Sequence, residues 1–494
     1  MKKLFSLKFG VMVVALILLL AAMPVVADGV NLAIAGPDER GDGWTLAGIS
    51  PVAPGNPPIP SRSLNIGTIE GSWYDMGFQY GQRAGEYTRY CFDDEWPGTQ
   101  WLGTEKIVEY LHRWEQTTLV PLCPELIEMM HGMADGAAPE LDKSPYANEI
   151  THYEKILYRQ YHLELVYGGP LECRVFALTG DGIKAGQRQG QTLTVHYREG
   201  GYKGTIWSVI YTAKPSDPKA YSWWARGAGG CLVGNGGVNE NGVHIGYNGS
   251  SMAYPPERDW GLSMSLTAAW ALPYAKTAED AVDLMVYGTP EYRAATERKT
   301  LLRGCALYTI SDHKSIRILE SSSNHYAVRE PGYMGEVGNY IGASNNNWCE
   351  FSYDENDEYN TTDPMTKFGP VGPTTGSNWL RFWTEMAWLK QTYGNITIES
   401  IKDFSRSHFY CDQDGVRVYY YWDADQDRLI EAKYSGFTQC QHQSFPDTHT
   451  RGTKDVTIYE LSKHGGVKIY ESWGRPCEWD GPWDIHTPFK GIGK

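Results

Sequence analysis

At Gly168-Gly169-Pro170 the chain changes texture, and this change constrains its fold more than any other feature. Before it, apolar residues recur at helical spacing: Ile107, Tyr110 and Leu111, then Leu126, Met129, Met130 and Met133. The run IGTIEGSWYDMGFQYGQRAGEYTRY reads as a short strand, a turn and a helix. Further helices are predicted over 104–119, 123–137 and 148–166. After the break come short β-type runs: CRVFAL, TLTVHY, TIWSVIYTA, YSWWAR, GVHIGYN, ALYTIS, SIRILES and HYAVRE. Gly, Asn and Asp punctuate them. Helical patterns return at 261–274, 277–286 and 376–392, and 416–473 reads as strands. This order predicts an α+β chain, with antiparallel sheet and helices grouped on its faces.

The N-terminus predicts export. Lys2, Lys3 and Lys8 precede an uncharged apolar run from Val11 to Ala22, and Pro24 breaks it. Val25-Val26-Ala27 suits a signal peptidase, so residues 1–27 read as a signal peptide cleaved after Ala27. The alternative is a membrane anchor, but a spanning helix needs about 20 apolar residues and this run is shorter. Residues 28–65, rich in Gly and Pro, read as an extended arm. The expected mature chain has 494 − 27 = 467 residues, is secreted and has no membrane span. A net charge of −15 makes nucleic acid and anionic membranes poor partners.

Nine cysteines are present, and an oxidising compartment should pair most of them. An odd count leaves at least one over. No CxxC pair or His/Cys cluster stands out along the chain, so neither a metal nor a cofactor is expected. Asp423, Asp425 and Asp427 imitate a calcium loop, but Arg428 and Tyr434 stand where such a loop needs Gly and Glu. A solvated turn is expected there, and a hairpin turn at Asp412, Asp414 and Gly415.

Cys173 opens a strand directly after the break. A thiol so placed is a useful nucleophile only if activated. Cutting the chain just before it would supply an α-amine, with a pKa of about 7.7–8.0, as its base. Four blocks then follow one another: GSWYDMGFQYGQ, PELIEMMHGMADGA, CRVFALTGDG and GNGGVNENGVHIGYN. In order and spacing they resemble the isopenicillin N acyltransferase-type cysteine Ntn (N-terminal nucleophile) hydrolases, and more distantly bile-salt hydrolases and penicillin V acylases. The resemblance spans roughly residues 66–390.

It implies a four-layer αββα sandwich and autocatalytic cleavage between Glu172 and Cys173. Residues 66–172 would form a helical N-terminal segment that stays associated, and 173–494 the catalytic domain. The implied chemistry is acyl transfer from a small acyl amide through an acyl-enzyme on Cys173. Acyl-CoA is scarce outside cells, which favours hydrolysis over transfer. Asn248 and Asn345 match oxyanion-holding positions, with Asn346 a close rival of the latter. Arg381 matches an Arg that supports the nucleophile's surroundings.

Each residue has a plainer reading: a disulfide half for Cys173, turn formers or a glycosylation site for the asparagines, a surface cation for Arg381. The chain also departs from the family. In TVHYREG, His196 and Arg198 fall where relatives carry an Asn-x-Asp pair. Glu199 is one residue out of register, and Arg174 stands where a small hydroxyl residue is commoner. Two other functions stay open, an inactive binding protein of the same fold and an esterase resembling phospholipase B-like proteins. Mass spectrometry of secreted protein is expected to find an N-terminus at Asp28; retention of residues 1–27 would contradict the signal-peptide reading.

Overall fold

Ser72 sets where the first helix starts. Its hydroxyl accepts from the Asp75 N–H, while the Asp75 carboxylate accepts from the Ser72 N–H, closing a reciprocal cap. Strand β1 (Leu64–Gly71) leads into this cap and helix α1 (Trp73–Glu95) leaves it. The computed structural model describes residues 63–166, 173–185, 191–199, 207–234, 236–249, 261–288, 306–321, 326–332, 338–344, 377–411, 415–423, 428–431, 439–440, 453–464, 466–477 and 482–491. All lie within one of the chain's two units, Ser50–Lys494. The predicted signal peptide, most of the arm, Asn345 and Asn346 lie outside the described residues.

Helix α2 (Thr104–Trp114) is shorter than its predicted span and passes into a π-turn over Glu115–Leu119. A single α-turn over Val120–Leu122 follows, with Pro121 in its first turn, where a missing N–H costs nothing. Helices α3 (Pro124–Leu141) and α4 (His152–Val166) complete the N-terminal helices. Strands β2 (Cys173–Thr179), β3 (Thr192–Glu199), β4 (Ser208–Pro215), β5 (Trp223–Ala228), β6 (Gly236–Asn239) and β7 (His244–Gly249) follow. Next come helices α5 (Met264–Ala271) and α6 (Ala278–Tyr287), and strands β8 (Ala306–Ser311), β9 (Ile316–Ser321), β10 (Tyr326–Arg329) and β11 (Tyr340–Ala343). Helices α7 (Ser377–Thr392) and α8 (Ile398–Ser405) precede hairpins β12 (Tyr410–Cys411)–β13 (Arg417–Val418) and β14 (Tyr420–Asp423)–β15 (Arg428–Glu431). Strands β16 (Thr453–Ser462), β17 (Gly466–Trp473) and β18 (Asp484–Phe489) close the series.

One sheet runs β1-β4-β5-β6-β7-β8-β9-β10 and the other β11-β2-β3-β16-β17-β18. Pairing is antiparallel except between β1 and β4. The sheets face each other through two apolar clusters. Ile210, Trp224 and Val238 meet Tyr459, Leu461, Val467 and Ile469. Val175, Ala177, Ile341 and Ala343 meet Leu307, Ile316 and Ile318. Helices α1 to α6 cover the outside of the first sheet, and α7 and α8 the outside of the second. This is the expected αββα sandwich. The segment before Cys173 contributes a strand to the larger sheet as well as helices.

Helices α1 and α3 pack backbone against backbone, and glycine makes this possible. Gly77 and Gly81 of α1 face Gly132 and Gly136 of α3, and a Cβ on any of them would fall within 3.0 Å of the other helix's backbone. Among the described residues no helix is long and apolar enough to cross a membrane. The pairing of α1 with α3 yields a test. Alanine normally gains about 1 kcal/mol over glycine inside a helix. Overpacking against rigid backbone costs about 1–3 kcal/mol, occasionally more, and should win. Gly81→Ala and Gly132→Ala are therefore expected to lower the Tm, while Gly98→Ala, with open space around its Cβ position, should leave it unchanged.

Candidate active site

Cys173 is the first residue of β2 and is buried. Strand β2 pairs with β3 without a bulge, placing Cys173 opposite Arg198 and Val175 opposite His196. Side chains alternate between the faces of a strand. Cys173, Val175, His196 and Arg198 therefore point between the sheets. Arg174, Phe176, Tyr197 and Glu199 point toward α7 and α8.

Glu199 accordingly does not move into the place of the missing acid. On the outer face it accepts from Arg174 (Nη2 at 2.7 Å, Nε at 3.1 Å), from Arg381 Nη1 and from Thr453 Oγ1 at 3.3 Å. Arg381 is thus fully buried rather than a surface cation. It reaches the β2–β3 strand pair from behind, through Glu199. Glu385 shares this pocket, 3.8 Å from Arg174, and burial raises its carboxyl to about 8.

On the inner face Arg198 is bound to Asp455 of β16, with Nε at 2.6 Å and Nη2 at 2.5 Å. Arg226, from β5 of the opposite sheet, donates to the other Asp455 oxygen and to Thr457 Oγ1 at 2.9 Å. It also lies 3.1 Å from Glu471. A buried carboxylate thus stands on the strand next to Arg198, paired with it. Sequence reading missed Asp455, although an Asp inside the run KDVTIYELS breaks the rule that buried strand positions are apolar or paired.

Asn248 of β7 is fully buried, which rules out a glycan on it in the folded chain. His196 Nε2 lies 2.8 Å from its Oδ1, joining the two sheets. Burial lowers His196 to about 4, so the ring is neutral at physiological pH and its Nε2–H donates to the amide oxygen. This leaves Asn248 Nδ2 buried with no hydrogen-bond partner among the described residues. An unsatisfied buried donor is costly.

The Cys173 thiol lies 3.7 Å from the Glu199 carbonyl oxygen. Burial pushes it up to about 12, opposed by that contact and by Arg198 and Arg381. In the uncut chain the thiol is therefore neutral. The structure thus brings Cys173 and Asn248 into one layer between the sheets and sets Arg381 behind it. Asn239 shapes a turn, with Oδ1 accepting from the Asn241 and Val243 N–H groups. Of the cysteines, Cys305 and Cys349 lie outside the described residues, and no disulfide joins two of the described ones, contrary to the expected pairing.

No family model matches the chain, and no curated protein matches it in sequence. Among solved structures it is similar to a penicillin V acylase from Agrobacterium tumefaciens: 14% identity, 65% of this chain and 100% of that one, TM-score 0.31. It is also similar to two variants of the conjugated bile acid hydrolase from Clostridium perfringens. These show 10% and 11% identity over 65% of this chain and 99% of theirs, each with a TM-score of 0.32. Overlaps this low carry no residue-by-residue correspondence.

The neutral buried imidazoles predict an acid limb of stability. His196 is depressed to about 4 and His244 to about 3, both by burial first. An unfolded chain protonates its histidines near 6.5, so their contribution is present above that value and lost as pH falls toward 4. For His196 the full effect is on the order of 3 kcal/mol. His196→Gln keeps an amide donor without titrating. Its Tm is expected to fall less than the wild type's between pH 6.5 and pH 4; parallel curves would contradict this.

Proposed function

We propose that the chain is an exported cysteine Ntn hydrolase that cleaves an acyl amide through an acyl-enzyme on Cys173. The observation that carries this reading is a strand-opening thiol in the same inter-sheet layer as Asn248, whose oxygen is held by His196 and whose Nδ2–H₂ has no partner among the described residues. The order of the four sequence blocks supports the relation to the isopenicillin N acyltransferase type.

In this reading the chain cuts itself before Cys173. The exposed α-amine then takes the thiol proton, which a buried thiol near pKa 12 would otherwise keep. Arg198, opposite Cys173 and fixed by Asp455, favours the free amine and the thiolate. Sulfur attacks the carbonyl, and Asn248 Nδ2–H₂ donates to the oxyanion, with Asn345 as a second donor. The α-amine passes its proton to the leaving amine, and water releases the acid.

His196 is a poor general base at a pKa of about 4, and its part is to orient Asn248. The N-terminal chain stays bound after the cut. Strand β1 remains paired with β4. Arg159 and Gln160 of α4 donate to the carbonyls of Gly229 (2.9 Å) and Gly230 (2.5 Å).

On a denaturing gel the mature wild type is expected as two chains, one beginning at Cys173, and Cys173→Ala as one. Asn248→Leu should lower kcat on an N-acyl amino acid by roughly 10²–10³-fold with little change in KM. An uncut wild type without acyl-amide turnover would overturn the proposal.

A further inference from the structure

His408, Cys440 and Cys477 come from three segments far apart in sequence, yet their ligand atoms lie within 4.8 Å of one another. One backbone contact and one side-chain contact join the segments. The Cys440 N–H donates to the Ser407 carbonyl at 3.1 Å, and Arg406 Nε donates to the Pro476 carbonyl at 3.3 Å. Each contact joins a candidate ligand's segment to the neighbour of another, so the cluster is fixed by the fold. Cys440 is fully buried, while His408 and Cys477 are half-buried.

We propose that this triad binds a soft divalent metal ion, with zinc as the fitting probe. Two thiolates and an imidazole form a donor set for zinc rather than for calcium or magnesium. Zinc bonds of about 2.3 Å to sulfur and 2.0–2.1 Å to nitrogen would require the three groups to close in by roughly an ångström. The half-exposed side of the cluster leaves the fourth position to water. Binding releases the thiol protons, so affinity rises with pH.

The site also has a place in the larger architecture. Gln439, beside Cys440, accepts from Arg174 through both its side-chain and backbone oxygens. A bound metal would therefore pin the segment that grips the residue next to Cys173.

Full-length protein, reduced without oxygen and then freed of reductant, is to be titrated with zinc and separately with cobalt. One zinc per chain is expected, with thiolate-to-cobalt charge-transfer absorption, a raised Tm and slowed alkylation of Cys440 and Cys477. Cys173→Ala should bind equally; loss of binding in that variant would place the metal at Cys173 and overturn the proposal. Cys440→Ser and Cys477→Ser should abolish the cobalt spectrum, and His408→Ala should weaken binding at least tenfold. Should a variant fail to fold, mercurial titration of the wild type decides, since zinc should leave as these two thiols react. A Cys440–Cys477 disulfide whose reduction yields no zinc binding would overturn the proposal, as would an unchanged cobalt spectrum in the double serine variant.

Discussion

The candidate site depends on one carboxylate, that of Asp455, set between two guanidinium groups. Arg198 comes from the strand beside it and Arg226 from the opposite sheet, and all three are buried. Charges taken out of water are tolerated only when paired, and removing one member leaves the others uncompensated at a cost of about 3–5 kcal/mol. The two sheets are thus held in a relation that their apolar clusters alone would specify less sharply. The same cluster holds a cation opposite Cys173 and a carboxylate on the strand next to Arg198.

The β2–β3 pair divides the chemistry between two faces. Inward lie Cys173, His196 and Arg198; outward lie Arg174 and Glu199, joined there by Arg381 and Glu385. A shift of one residue would exchange the two sets. Unbroken pairing forbids it, so the Glu199 side chain braces the strands from behind, and only its backbone carbonyl reaches Cys173. Burial then acts in opposite directions on the inner groups. It makes the thiol hard to ionise and the imidazole hard to protonate. The first means that Cys173 could act as a nucleophile only with an added base. The second makes His196 a fixed donor that sets which end of the Asn248 amide stays open.

Much of the fold was legible because its signals are local. Apolar spacing located α2, α3 and α4 to within a few residues, and alternating runs located most strands. The predicted span 104–119 is helical throughout, but its last five residues, Glu115–Leu119, form a π-turn that apolar spacing does not distinguish from an α-helix. The closeness of α1 and α3 was written in Gly77, Gly81, Gly132 and Gly136, but a glycine's use depends on what faces it.

The sequence by itself determined the strand opening at Cys173, the break before it, and the residues worth testing as nucleophile and oxyanion donor. These follow from residue type, order and period. Only the tertiary structure decided that Asp455 answers Arg198, that His196 orients Asn248, that Arg381 works through Glu199, and that His408, Cys440 and Cys477 converge. Each of these joins segments distant along the chain, and the side-chain period carries no information about which strand or loop arrives from elsewhere to complete a site.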